Sequence, residues 1–506
     1  MLRRWMGVRW VGAITARATL TMRPRLTLSS VAATLPTGAL LLVLLAAAAL
    51  FAADTARVVA YPYPMDYGEG PLLEQSLRLG RFESIYRPDL ASPPYTVSNY
   101  PPLFPAVLSP FTRAFGPALW YGRLLSTLSA VSAAALVALI LISLTGDRAA
   151  ALVGGLVLLA FPPLSYWASL YRVDALALAL SLGGIWVAVR WPAAPLAVPA
   201  GAVLLVAAIF TRQSYGIAAP LAAAVWIART VSWRRALALV GLTGALGAVL
   251  FAGLEVATRG GFSLNIVTAN LNEYQTGSLV QFVADVWTLM PLSLLTVIAF
   301  LFGAAWAGVR SWWLVAPYMV GALISGSTIG KVGSNVNYLI ELGAGVALTL
   351  GVLLAWLRPR RPIHAAVAVL LAADLALMVL ASPYRTVTHV RLKQEDEARR
   401  LREIVHRAPG AVLADEDMGL LPLEGRPIVI QPFEMTQLAR ARRWDQRPFL
   451  DELDRQAFAA ILIYRVPGLG LERQRWTDEM LRVIDRRYVF ERRVGLTEIY
   501  RPRPGG

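Results

Sequence analysis

The sequence predicts a polytopic α-helical membrane protein of about eleven spans, followed by a small α/β domain. Three observations predict it. Hydrophobic residues make up 57% of the 506 and the mean hydropathy is +0.54, a composition set by spanning segments. The apolar runs recur along three quarters of the chain, so they are not one signal peptide. Beyond residue 385 charges become frequent and the apolar runs shorten, which marks a separate domain.

Residues 1–35 form a basic tail that carries Arg3, Arg4, Arg9, Arg17, Arg23 and Arg25 and no acid, which predicts a cytoplasmic N-terminus. Residues 36–384 form the membrane domain. Its first span is expected at 36–58. Further spans are expected at 118–143, 149–168, 174–190, 194–211, 214–229, 236–257, 285–308, 311–328, 338–357 and 363–382. Arg148, Arg190, Arg229, Arg234, Arg235, Arg310, Arg358, Arg360 and Arg361 fall in the predicted inner loops, in agreement with that orientation. An odd number of spans puts residues 385–506 outside the cell membrane. There, 394–408 reads as a helix, and 411–414, 427–430 and 459–464 read as short buried strands. Two edge strands are expected near the end.

Residues 61–117 form the first outer loop, too polar and too rich in proline to cross a membrane. Asp66 and Glu69 follow the first apolar run. Pro71 suits the first turn of a short helix and Gly80 its end. Leu72, Leu73, Leu77 and Leu79 give that helix an apolar side, and Glu74 and Arg78 are spaced to pair on the other. A second interfacial piece runs from Tyr100 to Phe115. Its prolines at 101, 102, 105 and 110 exclude a plain spanning helix.

Composition also excludes chemistries. The formal net charge of +16 fits positive-inside bias, so nucleic-acid binding does not follow from it. With no cysteine there is no disulfide, thiolate nucleophile or Cys metal site. His364, His389 and His406 are the only histidines and lie far from the first loop, which argues against a His acid–base pair there. The only lysines are Lys331 and Lys393, so a lysine at a chosen place carries information.

The polar residues of the membrane domain gather at the predicted outer ends of the spans. They are Asp66 and Glu69, Arg172 and Asp174, Arg212 and Gln213, Asn270, Asn272 and Glu273, then Lys331, Asn335, Asn337 and Tyr338, with Glu341 after them. Tyr100 is grouped with the substrate-binding residues. Such a set suits sugar transfer. A carboxylate can take the proton of an acceptor hydroxyl, and arginine or lysine can stabilise a departing phosphate. The acids Asp66, Glu69 and Asp174 could instead hold Mg²⁺ or Mn²⁺; the sequence leaves both uses open. Each residue also has a plain role: Glu69 beside a helix dipole, Arg172 paired with Asp174, Arg212 snorkelling.

The pattern resembles the GT-C-type, polyprenyl-phosphate-dependent glycosyltransferases, the superfamily of protein O-mannosyltransferases and the aminoarabinose transferase. The matching features are MDYGEG in the first outer loop, LRLGRF ending the surface helix, SIY, YPPLFP before the second span, and the acid in RVDAL. TRQSYG stands where such proteins often show a Thr-Lys-Gly type sequence. The resemblance covers roughly residues 36–382. It implies a glycosyltransferase that moves a sugar from a polyprenyl-phosphate donor in the bilayer to an acceptor on the outer face, the acceptor being a glycan, a lipid or a protein. Asp66 would be the base, Glu69 its neighbour, and Asp174 a second-loop acid supporting substrate or metal. Arg212 stands where the family often has lysine, and Lys331 would compensate. The alternatives are a transporter or flippase of a lipid-linked sugar, which would place polar sites near the bilayer midplane in repeated halves, and a non-catalytic assembly protein.

Overall fold

The computed structural model describes residues 28–504. The arginines of the predicted basic tail lie outside the described residues, and the last part of that tail, from Leu28, begins the first helix. The chain is a multi-pass helical membrane protein with a small mixed sheet near its C-terminus.

Helix α1 (Leu28–Ala60) leads into two loop helices, α2 (Glu69–Gly80) and α3 (Leu103–Phe115). Then come α4 (Trp120–Thr145), α5 (Arg148–Ala160), α6 (Pro162–Trp167), α7 (Asp174–Arg190), α8 (Ala197–Ile209), α9 (Ala218–Thr230) and α10 (Trp233–Ala257). After α11 (Gly261–Ile266) follow α12 (Thr276–Leu289), α13 (Pro291–Trp306), α14 (Trp312–Gly326), α15 (Ile340–Leu357), α16 (Arg361–Leu380) and α17 (Pro383–Lys393).

Each of the eleven predicted spans falls on a helix, but six of the described helices are long and apolar enough to cross a membrane, or seven if one bent pair counts as one span. The correction has a physical cause. Helices α5, α8 and α9 each hold 13 residues. At 1.5 Å per residue that is about 20 Å, short of a bilayer core of about 30 Å. Proline sets two of the breaks. Pro162 restarts the chain as α6, and Pro291 starts α13 at 98° to α12. The first turn of α13 is capped from another helix, where Asp374 of α16 accepts from Ser293 N at 2.7 Å.

The core of the bundle is small-residue packing. Gly154 and Gly155 of α5 leave no room for a Cβ against Leu141 and the Ala134 carbonyl of α4, and Gly321 of α14 meets the Ala218 backbone of α9. Such close approach supplies van der Waals contact where lipid removes the hydrophobic drive between helices.

At the C-terminus α17 is tied to α1, with Asp54 accepting from Arg385 Nε at 2.8 Å and hydrogen-bonded to His389 Nε2 at 3.0 Å. Helix α18 (Glu395–Arg407) then leads to β1 (Val412–Ala414), α19 (Leu420–Leu423), α20 (Pro432–Arg440), β2 (Ala460–Tyr464), β3 (Tyr488–Val494) and β4 (Thr497–Pro502). The sheet order is β1-β2-β4-β3, with β1 and β2 parallel and the other pairs antiparallel.

The predicted strand at 427–430 is not in this sheet. Its backbone pairs with the first loop: Tyr95 N donates to the Val429 carbonyl at 2.7 Å, and Gln431 N donates to the Tyr95 carbonyl at 3.0 Å. Ile428 and Ile430 are buried all the same. The apolar pattern reported burial correctly and said nothing of the partner.

Helix α2 has the predicted start and end, but Glu74 and Arg78 do not pair. Leu72 and Leu73 pack against Phe104, Leu108 and Tyr171. Glu74 accepts from Ile428 N at 3.2 Å, while Arg78 turns to the Ser84 carbonyl and to Glu83. Gly70 meets Gly419 backbone to backbone, at a separation no Cβ would fit. The first loop is therefore held between the membrane helices and the C-terminal domain.

Burial pushes the Glu74 carboxyl from 4.5 up to about 7. Below pH 4.5 it is neutral in both folded and unfolded chains. Between 4.5 and 7 the folded chain binds more protons, so stability falls as pH rises and the full penalty is present above 7. Glu74→Gln is expected to raise the thermal unfolding midpoint in detergent at pH 8 and to leave it unchanged at pH 4; an equal effect at both values contradicts this.

Candidate functional site

The site begins with Arg123, the single charged residue of the apolar run 118–143. It is fully buried, and its guanidinium makes five hydrogen bonds, one to the end of α1 and four to the first loop. Nε and Nη2 donate to the two oxygens of Glu69, each at 2.8 Å. The remaining three bonds run to the carbonyls of Val58, Tyr61 and Tyr63, at 2.6, 2.6 and 2.7 Å. Glu69 also accepts from Met65 N at 2.7 Å and Tyr171 N at 2.8 Å. These bonds to the charged form hold its carboxyl below the usual range against the opposing effect of burial.

Pinning Glu69 fixes the residues before it. Asp66 accepts from Gly68 N at 2.9 Å and pairs with Arg172 of the α6–α7 turn. A Cβ at Gly68 would fall on the Arg172 guanidinium and displace it from this position. Burial raises the Asp66 carboxyl, and Arg172 opposes that rise. Arg172 also lies over the Trp167 ring, 5.3 Å from its centroid.

A second pair forms at the start of α7. Asp174 pairs with Arg212 and accepts from Asn337 Nδ2 at 3.1 Å. Arg212 sits 4.4 Å from the Tyr338 ring centroid. Asn335 accepts from Val336 N at 2.8 Å and starts the short turn that carries Asn337 and Tyr338.

These parts surround a cavity of about 640 Å³ between the membrane helices and the C-terminal domain. Asp66, Tyr100, Arg172, Arg212, Lys331, Asn335, Asn337 and Tyr338 all line it, from stretches of chain up to 272 residues apart. Glu69 and Asp174 do not line it; each is buried behind the wall in its own arginine pair. Asp66, Glu69 and Asp174 thus face three different arginines. No group of three acid or histidine side chains able to hold a metal occurs among the described residues. The donor set does not fit a divalent ion.

The sequence reading missed the roof. Arg391, Glu416, Glu434, Tyr464 and Arg475 come to the cavity from the C-terminal domain and α17. Glu416 bridges Arg391 at 2.7 Å and Arg475 at 2.5 Å. Tyr67 donates to Glu434 at 2.5 Å. Burial raises the Glu434 carboxyl and drives the Tyr67 hydroxyl well above its ordinary range. A signal for Arg123 was available, a lone charge inside an apolar run. None marks Glu434, which reads as an ordinary acid in the first turn of a helix.

Of the charged side chains lining the cavity, two form no ion pair among the described residues: Lys331 and Glu434. Several wall atoms are buried without a hydrogen-bond partner, including Arg172 Nε, one Arg212 Nη, Asn99 Oδ1 and Gln213 Oε1. A wall so arranged is built for a polar ligand.

No family model matches the chain, and no curated protein matches it in sequence. Its fold is similar to solved structures. ArnT from Cupriavidus metallidurans bound to undecaprenyl phosphate aligns with a TM-score of 0.60 at 16% identity, over 91% of this chain and 98% of that one. ArnT in the apo state gives 0.59 at 16%, over 90% and 97%. Archaeal oligosaccharyltransferase AglB from Archaeoglobus fulgidus, in complex with an inhibitory peptide and a dolichol-phosphate, gives 0.46 at 10%, over 90% and 74%. The chain has an ArnT-like fold.

Breaking the Arg123–Glu69 pair leaves a buried guanidinium uncompensated. Glu69→Ala is expected to lose about 3–5 kcal/mol of stability. Glu83→Ala, at an exposed pair with Arg81, is expected to leave stability unchanged. Denaturant titration of both in detergent checks this, and equal effects contradict it.

Proposed function

We propose that the chain is an inverting glycosyltransferase that moves a sugar from a polyprenyl-phosphate donor to an acceptor hydroxyl on the outer face of the cell membrane. One observation carries the reading. On an ArnT-like fold, a large polar cavity holds a carboxylate beside an arginine, Asp66 with Arg172, and a lysine with no ion pair, Lys331.

In this reading the donor phosphate lies against Lys331, whose compact ammonium suits a phosphate oxygen. Asp66 accepts the proton of the acceptor hydroxyl as that oxygen attacks the anomeric carbon. The bond from that carbon to the phosphate oxygen breaks on the opposite face. The electron pair leaves with the lipid phosphate, whose charge Lys331 and the outward N–H groups of Arg172 and Arg212 stabilise. Arg172 keeps Asp66 ionised, and burial keeps it basic enough to take the proton. Glu69 and Asp174 position the loop and Arg212 from behind the wall. The acceptor, a glycan, lipid or protein, enters past the C-terminal domain.

The topology belongs to the same reading. The six long helices and the bent pair make seven crossings, an odd number. The N-terminus is then cytoplasmic and the domain from 385 to 506 extracytoplasmic.

The test is transfer in proteoliposomes from a panel of radiolabelled polyprenyl-phosphate sugars. Asp66→Asn is expected to lower kcat by about 10²–10⁴-fold with insertion intact. Lys331→Ala is expected to raise the donor KM by about tenfold. An active Asp66→Asn protein removes Asp66 as base, and no transfer from any donor by folded wild type removes the enzyme reading.

A further inference from the structure

The polar atoms of the cavity divide into two chemistries. Arg172, Arg212 and Lys331 offer donors. Asn99, Gln213 and Glu434 offer acceptors, and these three are neighbours. Asn99 Nδ2 donates to Glu434 Oε1 at 3.4 Å, and Gln213 Nε2 donates to the Asn99 carbonyl at 3.1 Å. A carboxylate and a carbonyl can only accept, so both amides turn their NH₂ groups toward them. That leaves Asn99 Oδ1 and Gln213 Oε1, both buried, without a donor. Glu434 receives its short bond from the neutral Tyr67 hydroxyl and has no cationic partner within ion-pair distance.

Buried acceptors without donors are costly. Two in one wall, Asn99 Oδ1 and Gln213 Oε1, beside a carboxylate bonded only by neutral groups, are satisfied by a ligand that carries several O–H groups in a small volume. A phosphate has too few donors, and a lipid chain has none. A sugar ring has several. We propose that Asn99, Gln213 and Glu434 form the subsite that binds the hydroxyls of the donor sugar, with Tyr67 positioning Glu434. This rests on the lipid-phosphate donor reading above and deepens it. The subsite draws on the first loop, the α8–α9 turn and α20, so it is complete only with the C-terminal domain docked.

The test uses the full chain in nanodiscs and measures binding of undecaprenyl phosphate alone and of its mannosyl, glucosyl and galactosyl forms. Wild type is expected to bind at least one sugar-bearing lipid more tightly than the bare lipid. In Glu434→Gln, which is nearly isosteric, and separately in Gln213→Leu, that advantage is expected to fall about tenfold while bare-lipid affinity stays unchanged. An advantage that persists in both variants overturns the subsite, as does an equal loss for both kinds of lipid or the absence of any advantage in wild type. Wild type that binds neither kind of lipid defeats the donor reading itself, an outcome distinct from these.

Discussion

The buried ion pair between Arg123 and Glu69 is the constraint on which the rest of the site depends. An isolated guanidinium at 0% exposure would be prohibitively desolvated. Here its five hydrogen bonds run to one carboxylate and three backbone carbonyls, which is the condition under which a buried pair is tolerated. The geometry follows in sequence. Arg123 anchors the end of α1 and the start of α2 at once. Glu69 is thereby held, and Asp66, three residues earlier, is presented to Arg172. The fully buried carboxylate of the motif supplies position, and the partly exposed one faces the cavity.

The same division runs through the second pair. Asp174 sits behind the wall and orients Arg212, which in turn lies under Tyr338. Two acids thus hold two arginines that frame the cavity, while Lys331 and Glu434 remain without ionic partners at its surface. One is a cation and the other an anion. The C-terminal domain closes it through contacts that leave no slack: Gly70 against Gly419, Tyr95 against Ile430, Glu74 against Ile428.

Much of this was legible in the sequence, and the residues explain where legibility stopped. Pro71 and Gly80 gave the ends of α2 to within two residues, because caps are local chemistry. The ten polar residues read at the span ends and found lining the cavity were visible because polar groups between apolar segments are rare and need a place to go. Partners across the fold were not visible. Glu69 meets Arg123 at 54 residues' remove, and Glu74 meets Ile428 at 354. The apolar run at 427–430 reads as a strand of a sheet, and only the folded chain shows that its backbone pairs with Tyr95 of the first loop. Span lengths were overestimated because hydropathy does not register the breaks at Pro162 and Pro291. Glu434 carried no local mark at all.

In the proposed function the cavity roofed by the C-terminal domain holds a lipid phosphate. An electron cryo-microscopy structure of the full chain in nanodiscs with undecaprenyl phosphate tests this. Phosphate density is expected within hydrogen-bonding distance of Lys331, with an isoprenoid tail leaving the cavity between the membrane helices. Phosphate density elsewhere on the protein, with this cavity unchanged at saturating lipid, contradicts it.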